Sequence, residues 1–194
     1  MIELAKKSQQ ASLKLRSIDH KTRKEILLNL ADKLETRCQE VLEENKKDMQ
    51  AAEESNLNAA LKDRLLLTEE RVKAMANGVR EIANQPEVVG VTYQEFKNES
   101  GLTIKRQRVP LGVILMIFES RPNVVIDCAA LALKSSNAII LKGGKEAKHS
   151  NKILGDIVQS ALQPTLPVEC VQTLASDRRE EVQALLDLEN YIDV

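Results

Sequence analysis

The chain has 194 residues, 43% of them hydrophobic and 29% charged, enough apolar material to bury a core in one domain or one and a half. Its net charge is −1, with Lys and Arg interspersed among Asp and Glu, which argues against nucleic acid or an anionic membrane as partner and favours a small ligand. The longest apolar run, Leu111 to Phe118, is too short to cross a bilayer, and Met1 opens an amphipathic helix pattern instead of a signal peptide, so a cytoplasmic location is expected.

From Met1 to about Asn84 the sequence is rich in Ala, Leu, Glu and Lys, with apolar residues at helical spacing, as in Ile26, Leu27, Leu30 and Leu34. Asp19 is expected to cap one helix, and Thr36 with Gln39 to form a capping box that starts another, running through Val41, Leu42 and Met49. The pattern breaks at Asn56 to Asn58. Thr68, followed by Glu69 and Glu70, is expected to cap the next helix, which ends near Asn84 to Pro86.

Between Val88 and Arg108 the texture changes to short β-branched and aromatic segments, Val91-Thr92-Tyr93 and Leu102-Thr103-Ile104, around the turn-forming Asn98-Glu99-Ser100-Gly101. A hairpin is predicted, and Lys105, Arg106 and Arg108 give it one wet face, as suits a projecting ribbon.

Beyond Pro110 the apolar run Gly112 to Phe118 is followed by a helical segment from Pro122 to Lys134, a second run at Ala138-Ile139-Ile140-Leu141, and a helix from about Ala147 to Leu162. A strand near Val171 to Leu174, a helix from Asp177 to Leu186 and the start of a strand at Tyr191-Ile192-Asp193-Val194 complete a β-α-β-α-β-α-β order. Unbroken apolar runs mark strands buried on both faces, and right-handed crossovers wind such units into a parallel sheet with ligands at the carboxyl ends of its strands.

Two loops then carry the interest. Glu119-Ser120-Arg121-Pro122-Asn123 gathers a carboxylate, a guanidinium and an amide at one strand end; either Arg121 and Asn123 bind an anion or oxyanion, or Glu119 pairs with Arg121 while Asn123 caps the helix. Lys142-Gly143-Gly144-Lys145-Glu146 places two glycines and two ammonium groups ahead of a helix, suiting a phosphate or ribose or else a plain strand-to-helix turn; no GxGxxG fingerprint is present. Cys38, Cys128 and Cys170 are odd in number and lack CxxC spacing, and His20 and His149 stand alone, so neither a disulfide framework nor a metal site is expected.

The stretch VPLGVILMIFESRPNVVIDCAALALKSSNAIILKGGKEAKHSN, Val109 to Asn151, resembles the γ-glutamyl phosphate reductases, a branch of the aldehyde dehydrogenase superfamily, in the order and spacing of PLGV, ESRPN and KGGKEA. One departure is Ser135-Ser136-Asn137, where that family often has Ser-Gly-Asn. The resemblance implies an α/β fold in three parts: a helical region over 1–87 packed on the cofactor domain, an oligomerisation ribbon over 88–109, and an incomplete Rossmann-like parallel sheet of the aldehyde dehydrogenase type over 110–194. It implies NADPH-dependent reduction of L-glutamyl 5-phosphate to L-glutamate 5-semialdehyde and phosphate, in proline biosynthesis, through a cysteine thioester. Lys142, Gly143, Gly144 and Lys145 become the expected cofactor contacts, with Lys145 favouring NADP over NAD; Ser120, Arg121 and Asn123 become the expected substrate contacts. The family's pyrophosphate loop and nucleophilic cysteine correspond to positions after Val194. None of the three cysteines matches that motif, and the 194 residues alone are expected to be inactive. A homo-oligomer is expected of the full-length form, with glutamate kinase a candidate partner. The competing readings are another acyl-reducing member of the superfamily and a short non-catalytic form that binds a partner subunit.

Overall fold

The computed structural model describes residues 1–174 and 179–194. Five helices come first: α1 (Ile2–Ser17), α2 (His20–Thr36), α3 (Cys38–Glu54), α4 (Ala59–Leu65) and α5 (Glu69–Asn84). Asp19 and Thr68 cap α2 and α5 as expected, accepting from the backbone N–H groups of Thr22 at 2.7 Å and Arg71 at 3.2 Å. The capping box at Thr36 does not form. Thr36 is the last residue of α2, its hydroxyl turned back to the Lys33 carbonyl, and Gln39 reaches across to Glu69, while Arg37 grips Glu40 through two nitrogens. Helix α4 had no counterpart in the sequence reading. Asn56 adopts φ 52° to end the preceding helix, and Asn58 caps the new one through the N–H of Leu61, so the Asn-rich break both stops and restarts a helix.

The ribbon is a hairpin of β1 (Thr92–Lys97) and β2 (Thr103–Gln107), closed by bonds from Asn98 N–H to the Leu102 carbonyl and from Gly101 N–H to the Asn98 carbonyl. Every residue of both strands is exposed, so its wetting is not one-sided as expected.

The second half builds the sheet: β3 (Val113–Ile117), α6 (Asn123–Lys134), β4 (Ala138–Lys142), a short 3-10 turn at Lys145–Ala147, α7 (Lys148–Leu162), β5 (Val171–Leu174) and α8 (Arg179–Leu186). The three strands are parallel in the order β3-β4-β5. The start of the helix expected from Asp177 lies outside the described residues; α8 is its described part. The expected strand at Tyr191–Val194 is present as hydrogen bonds along the free edge of β3, from Asp193 N–H to the Val113 carbonyl and from Leu115 N–H to the Val194 carbonyl, without a strand's regular ladder. Asp193 also accepts from Val113 N–H at 2.8 Å and lies where a Cβ on Gly112 would meet it at 2.0 Å, so this seam needs glycine.

Strand β4 is buried on both faces, as its unbroken run implied. Ile139 and Leu141 face the main apolar cluster with Val125, Leu133, Leu154 and Ile157 of α6 and α7; Ala138 and Ile140 face a smaller one with Leu4 and Ile192. The main cluster continues without a break into Leu27, Leu30, Leu34, Val72 and Val79 of α2 and α5, so the helical half and the sheet share one core. Lys134, buried at the end of α6, donates to the carbonyls of Ala83 and Gln85 and so closes the last turn of α5 from a distant element. Among the described residues, no helix is long and apolar enough to cross a membrane, and no group of His, Cys, Asp and Glu is placed to hold a metal ion.

Helix α6 ends in a Schellman motif: Asn137 N–H reaches the Ala132 carbonyl at 2.8 Å and Ser136 N–H the Leu133 carbonyl at 3.1 Å. This puts Ser136 at φ 57°, fully buried, with its hydroxyl lacking a hydrogen-bond partner among the described residues. A side chain in the left-handed region and an unpaired buried hydroxyl both cost free energy. Ser136→Gly is therefore expected to raise stability by about 1–2 kcal/mol in urea denaturation; a neutral or destabilising result would show that the hydroxyl has a partner.

Candidate functional site

Parallel pairing sets Ile117 of β3 beside Lys142 of β4, so the two loops singled out in the sequence leave the sheet side by side at its carboxyl edge. Phe118 N–H donates to the Lys142 carbonyl, and the buried Ser120 donates through Oγ to Glu146 Oε2 at 3.3 Å. A Cβ on Gly144 would stand 3.4 Å from the Glu119 carbonyl carbon. The loops touch, with Ser120 and Glu146 as the seam.

Helix α3 fixes the second loop. Helix α7, which follows it, has no side-chain cap of its own, and Asp48 of α3 supplies one across the fold. Asp48 Oδ1 accepts from His149 N–H at 3.0 Å, and Oδ2 accepts from Ser150 N–H at 2.7 Å and Ser150 Oγ at 2.6 Å. Asn45, one turn earlier, donates to Ser150 Oγ and the Leu65 carbonyl and accepts from Leu67 N–H. Both side chains are 2% exposed. With these two amides taken by a carboxylate, His149 and Ser150 do not offer theirs to a phosphate, and the exposed Lys145 and Lys148 bring positive charge to this loop.

One cleft, about 270 Å³, opens between this loop, α7 and the end of β5, and is lined by Gly143, Gly144, Lys145, Lys148, Asn151 and Lys152 among others. Asn151 is 8% exposed, and its Oδ1 has no hydrogen-bond partner among the described residues. Its amide lies against Gly143, where a Cβ would meet Nδ2 at 2.1 Å, so the side chain occupies space that only glycine leaves open. Lys145 is exposed on the rim, whereas Lys142 folds back, its Nζ donating to the Gly143 carbonyl at 2.9 Å.

The second cleft, about 470 Å³, lies between α4, the start of α5 and the start of α6. Arg121 and Asn123 line it, together with Asp63, Arg64, Arg71 and Asp127. Glu119 forms no ion pair with Arg121 among the described residues, and Asn123 is no cap: α6 starts from Pro122, and Asn123 Nδ2 donates to Asp127 Oδ2 at 2.9 Å. The pairing-and-capping alternative for the first loop is thus not what forms. Burial pushes the Asp127 carboxyl above the ordinary carboxylate range, and the bond from Asn123 offsets part of that.

The cysteines stand apart from both clefts. Burial pushes all three thiols up, Cys170 to about 12, the opposite of what a nucleophile needs. Sequence reasoning missed Asn45, Asp48, Arg64, Asp127 and Asn151. Only Asp127 carried a local signal: it is the lone charge inside the apolar stretch NVVIDCAALAL and falls one turn after Asn123.

The aldehyde dehydrogenase family model matches residues 1–191. The chain belongs to the aldehyde dehydrogenase family. Among curated relatives, γ-glutamyl phosphate reductases of Glaesserella parasuis and Anoxybacillus flavithermus are 46% and 41% identical to it, each match covering 100% of this chain and 47% of the relative. The crystal structure of γ-glutamyl phosphate reductase from Thermotoga maritima superposes with a TM-score of 0.94 at 35% identity, over 98% of this chain and 46% of that one. A salicylaldehyde dehydrogenase from Pseudomonas putida G7, 22% identical with a TM-score of 0.74 over 98% of this chain and 37% of its own, shares the fold. The chain spans about half the length of the curated relatives it matches.

Replacing Asp48 by Ala strips an acceptor from two backbone amides and one hydroxyl. A loss of about 2–4 kcal/mol is expected in chemical denaturation, with Asp48→Asn intermediate. A loss below about 1 kcal/mol would mean that water replaces the carboxylate, and that the cap does not hold the loop.

Proposed function

We propose that the chain is the cofactor-binding part of an NADPH-dependent reductase that converts L-glutamyl 5-phosphate to L-glutamate 5-semialdehyde and phosphate, a step of proline biosynthesis. The reading is carried by 41–46% identity to γ-glutamyl phosphate reductases across the whole chain, both loops included. The meeting of those loops at the sheet edge supports it.

The residues of the smaller cleft fit a nicotinamide dinucleotide phosphate, whose contribution when bound is the hydride. Asn151 Oδ1, without a partner among the described residues, can accept from a ribose hydroxyl or adenine amine, Gly143 leaves room for the Asn151 amide, and Lys145, Lys148 and Lys152 outnumber Asp156 among the charges that line the cleft, as a 2′-phosphate requires. Glu146 would oppose that phosphate, but its carboxylate is turned to Ser120. Lys142 and Gly144 shape the same loop. On the substrate side, Arg121 and Asn123 face the larger cleft, and Ser120 acts by holding the loops together. The nucleophile is not among Cys38, Cys128 and Cys170, so these 194 residues alone do not turn over substrate. The exposed ribbon, with Tyr93, Phe96 and Ile104 on its surface, is the proposed contact with a second copy, and glutamate kinase is a candidate partner.

In the protein at the length its own cell makes, phosphate-dependent reduction of NADP+ with L-glutamate 5-semialdehyde is expected. Lys145→Glu is expected to raise KM for NADP+ about tenfold, ~1.4 kcal/mol, while changing that for NAD+ by less than about twofold. A requirement for coenzyme A in place of phosphate would refute the substrate, and equal losses for the two dinucleotides would refute the role of Lys145.

A further inference from the structure

The larger cleft holds charges of both signs, not all of them neutralised. Arg71 is fully engaged: it donates to the Asp63 carboxylate and to the carbonyls of Asp63 and Leu66, fastening α5 to the end of α4. Arg64 and Arg121, both exposed, line the cleft without a side-chain hydrogen bond or ion pair to any described residue. Asp127, half-buried and held in one orientation by Asn123, lines the same cleft. Leu66, Leu67 and Met75 give the cleft an apolar wall.

This combination narrows the ligand by elimination. A purely anionic guest such as inorganic phosphate would face the fixed Asp127 carboxylate in a site of reduced polarity, and a purely cationic one would face the guanidinium groups. A zwitterion uses both: a carboxylate takes forked guanidinium donors, and an ammonium takes a carboxylate with an orientation already set. The apolar wall suits the methylenes between them. Arg121 also sits next to Ser120, whose bond to Glu146 joins this loop to the glycine loop, so a ligand anchored here extends naturally towards the cofactor side.

We propose that this cleft is the seat of an α-amino-acid head group, with Asp127 receiving the ammonium and Arg121 and Arg64 receiving the α-carboxylate. The assignment rests on the reductase reading above and deepens it by naming what recognises the amino-acid end of the substrate. Asp127 and Arg64 are specificity residues here, remote from the bond that changes.

The test is a titration of the protein, followed by NMR or calorimetry, with L-glutamate, with glutarate, which lacks the ammonium, and with 4-aminobutyrate, which lacks the α-carboxylate. L-glutamate is expected to bind about tenfold or more tighter than either, and to shift signals of Arg121 and Asp127. Asp127→Asn is expected to abolish its advantage over glutarate, and Arg121→Gln its advantage over 4-aminobutyrate. NADPH is titrated in parallel. NADPH binding together with equal affinities for the three acids, or glutamate shifts confined to other parts of the chain, would overturn the assignment and leave the reductase reading standing. If neither NADPH nor L-glutamate binds, both fall.

Discussion

The Asp48 carboxylate, carried on α3 and 2% exposed, closes the first turn of α7, a helix about a hundred residues further along the chain. The glycine loop is pinned between two fixed ends, β4 in the sheet and the start of α7 on α3, and its remaining freedom is taken up by Gly143 against Asn151 and by Glu146 against Ser120. A buried carboxylate is costly unless its lone pairs are met, and here two backbone amides and a hydroxyl meet them. The same polar cluster decides how the loop can bind anions. Because His149 and Ser150 spend their amides on Asp48, the first turn of α7 offers an anion less than an open helix end would, and the lysine ammonium groups beside it count for more.

Long-range capping recurs as a way of joining the halves of the chain. Lys134 at the end of α6 closes the last turn of α5, as Asp48 and Asn45 of α3 serve the start of α7 and the segment after α4. Each of these polar side chains is buried and faces a helix end or connection on another element. The helical half therefore contributes more than apolar area to the shared core: it sets where the glycine loop at the carboxyl edge of the sheet stands.

Much of this was open to reading from the chain and some was not, for physical reasons. Asp19 and Thr68 were legible as caps because a cap bonds an amide three residues away, so the information is local. Strands β3 and β4 were legible as unbroken apolar runs, which in β4 reflect burial on both faces, whereas β5, Val-Gln-Thr-Leu, was legible from its place in the repeating order of elements. The same local grammar failed at Thr36, where α2 persists to that residue and the next helix starts without a side-chain cap, and it passed over α4, only seven residues long and capped by the second asparagine of the break, Asn58. Asp48 and Asn45 lie in the charged stretch Glu43-Glu44-Asn45-Lys46-Lys47-Asp48, and nothing near them in sequence reveals that they face Ser150. For the site, residues alone left the first loop open between anion binding and an ion pair with a cap, and left the second reading first as a plain turn. The resemblance tipped that choice, and the structure added what neither supplied: the contact between the loops, an Asn151 oxygen without a partner among the described residues, and Asp127 beside Asn123.

Native-state amide hydrogen exchange at His149 and Ser150 tests this account most directly. Leading amides of a helix have no partner within it and ordinarily exchange fast. If Asp48 locks the start of α7, these two amides exchange only on global unfolding, as slowly as those of β4. Exchange as fast as at an uncapped helix end would contradict the account and leave the glycine loop without its anchor.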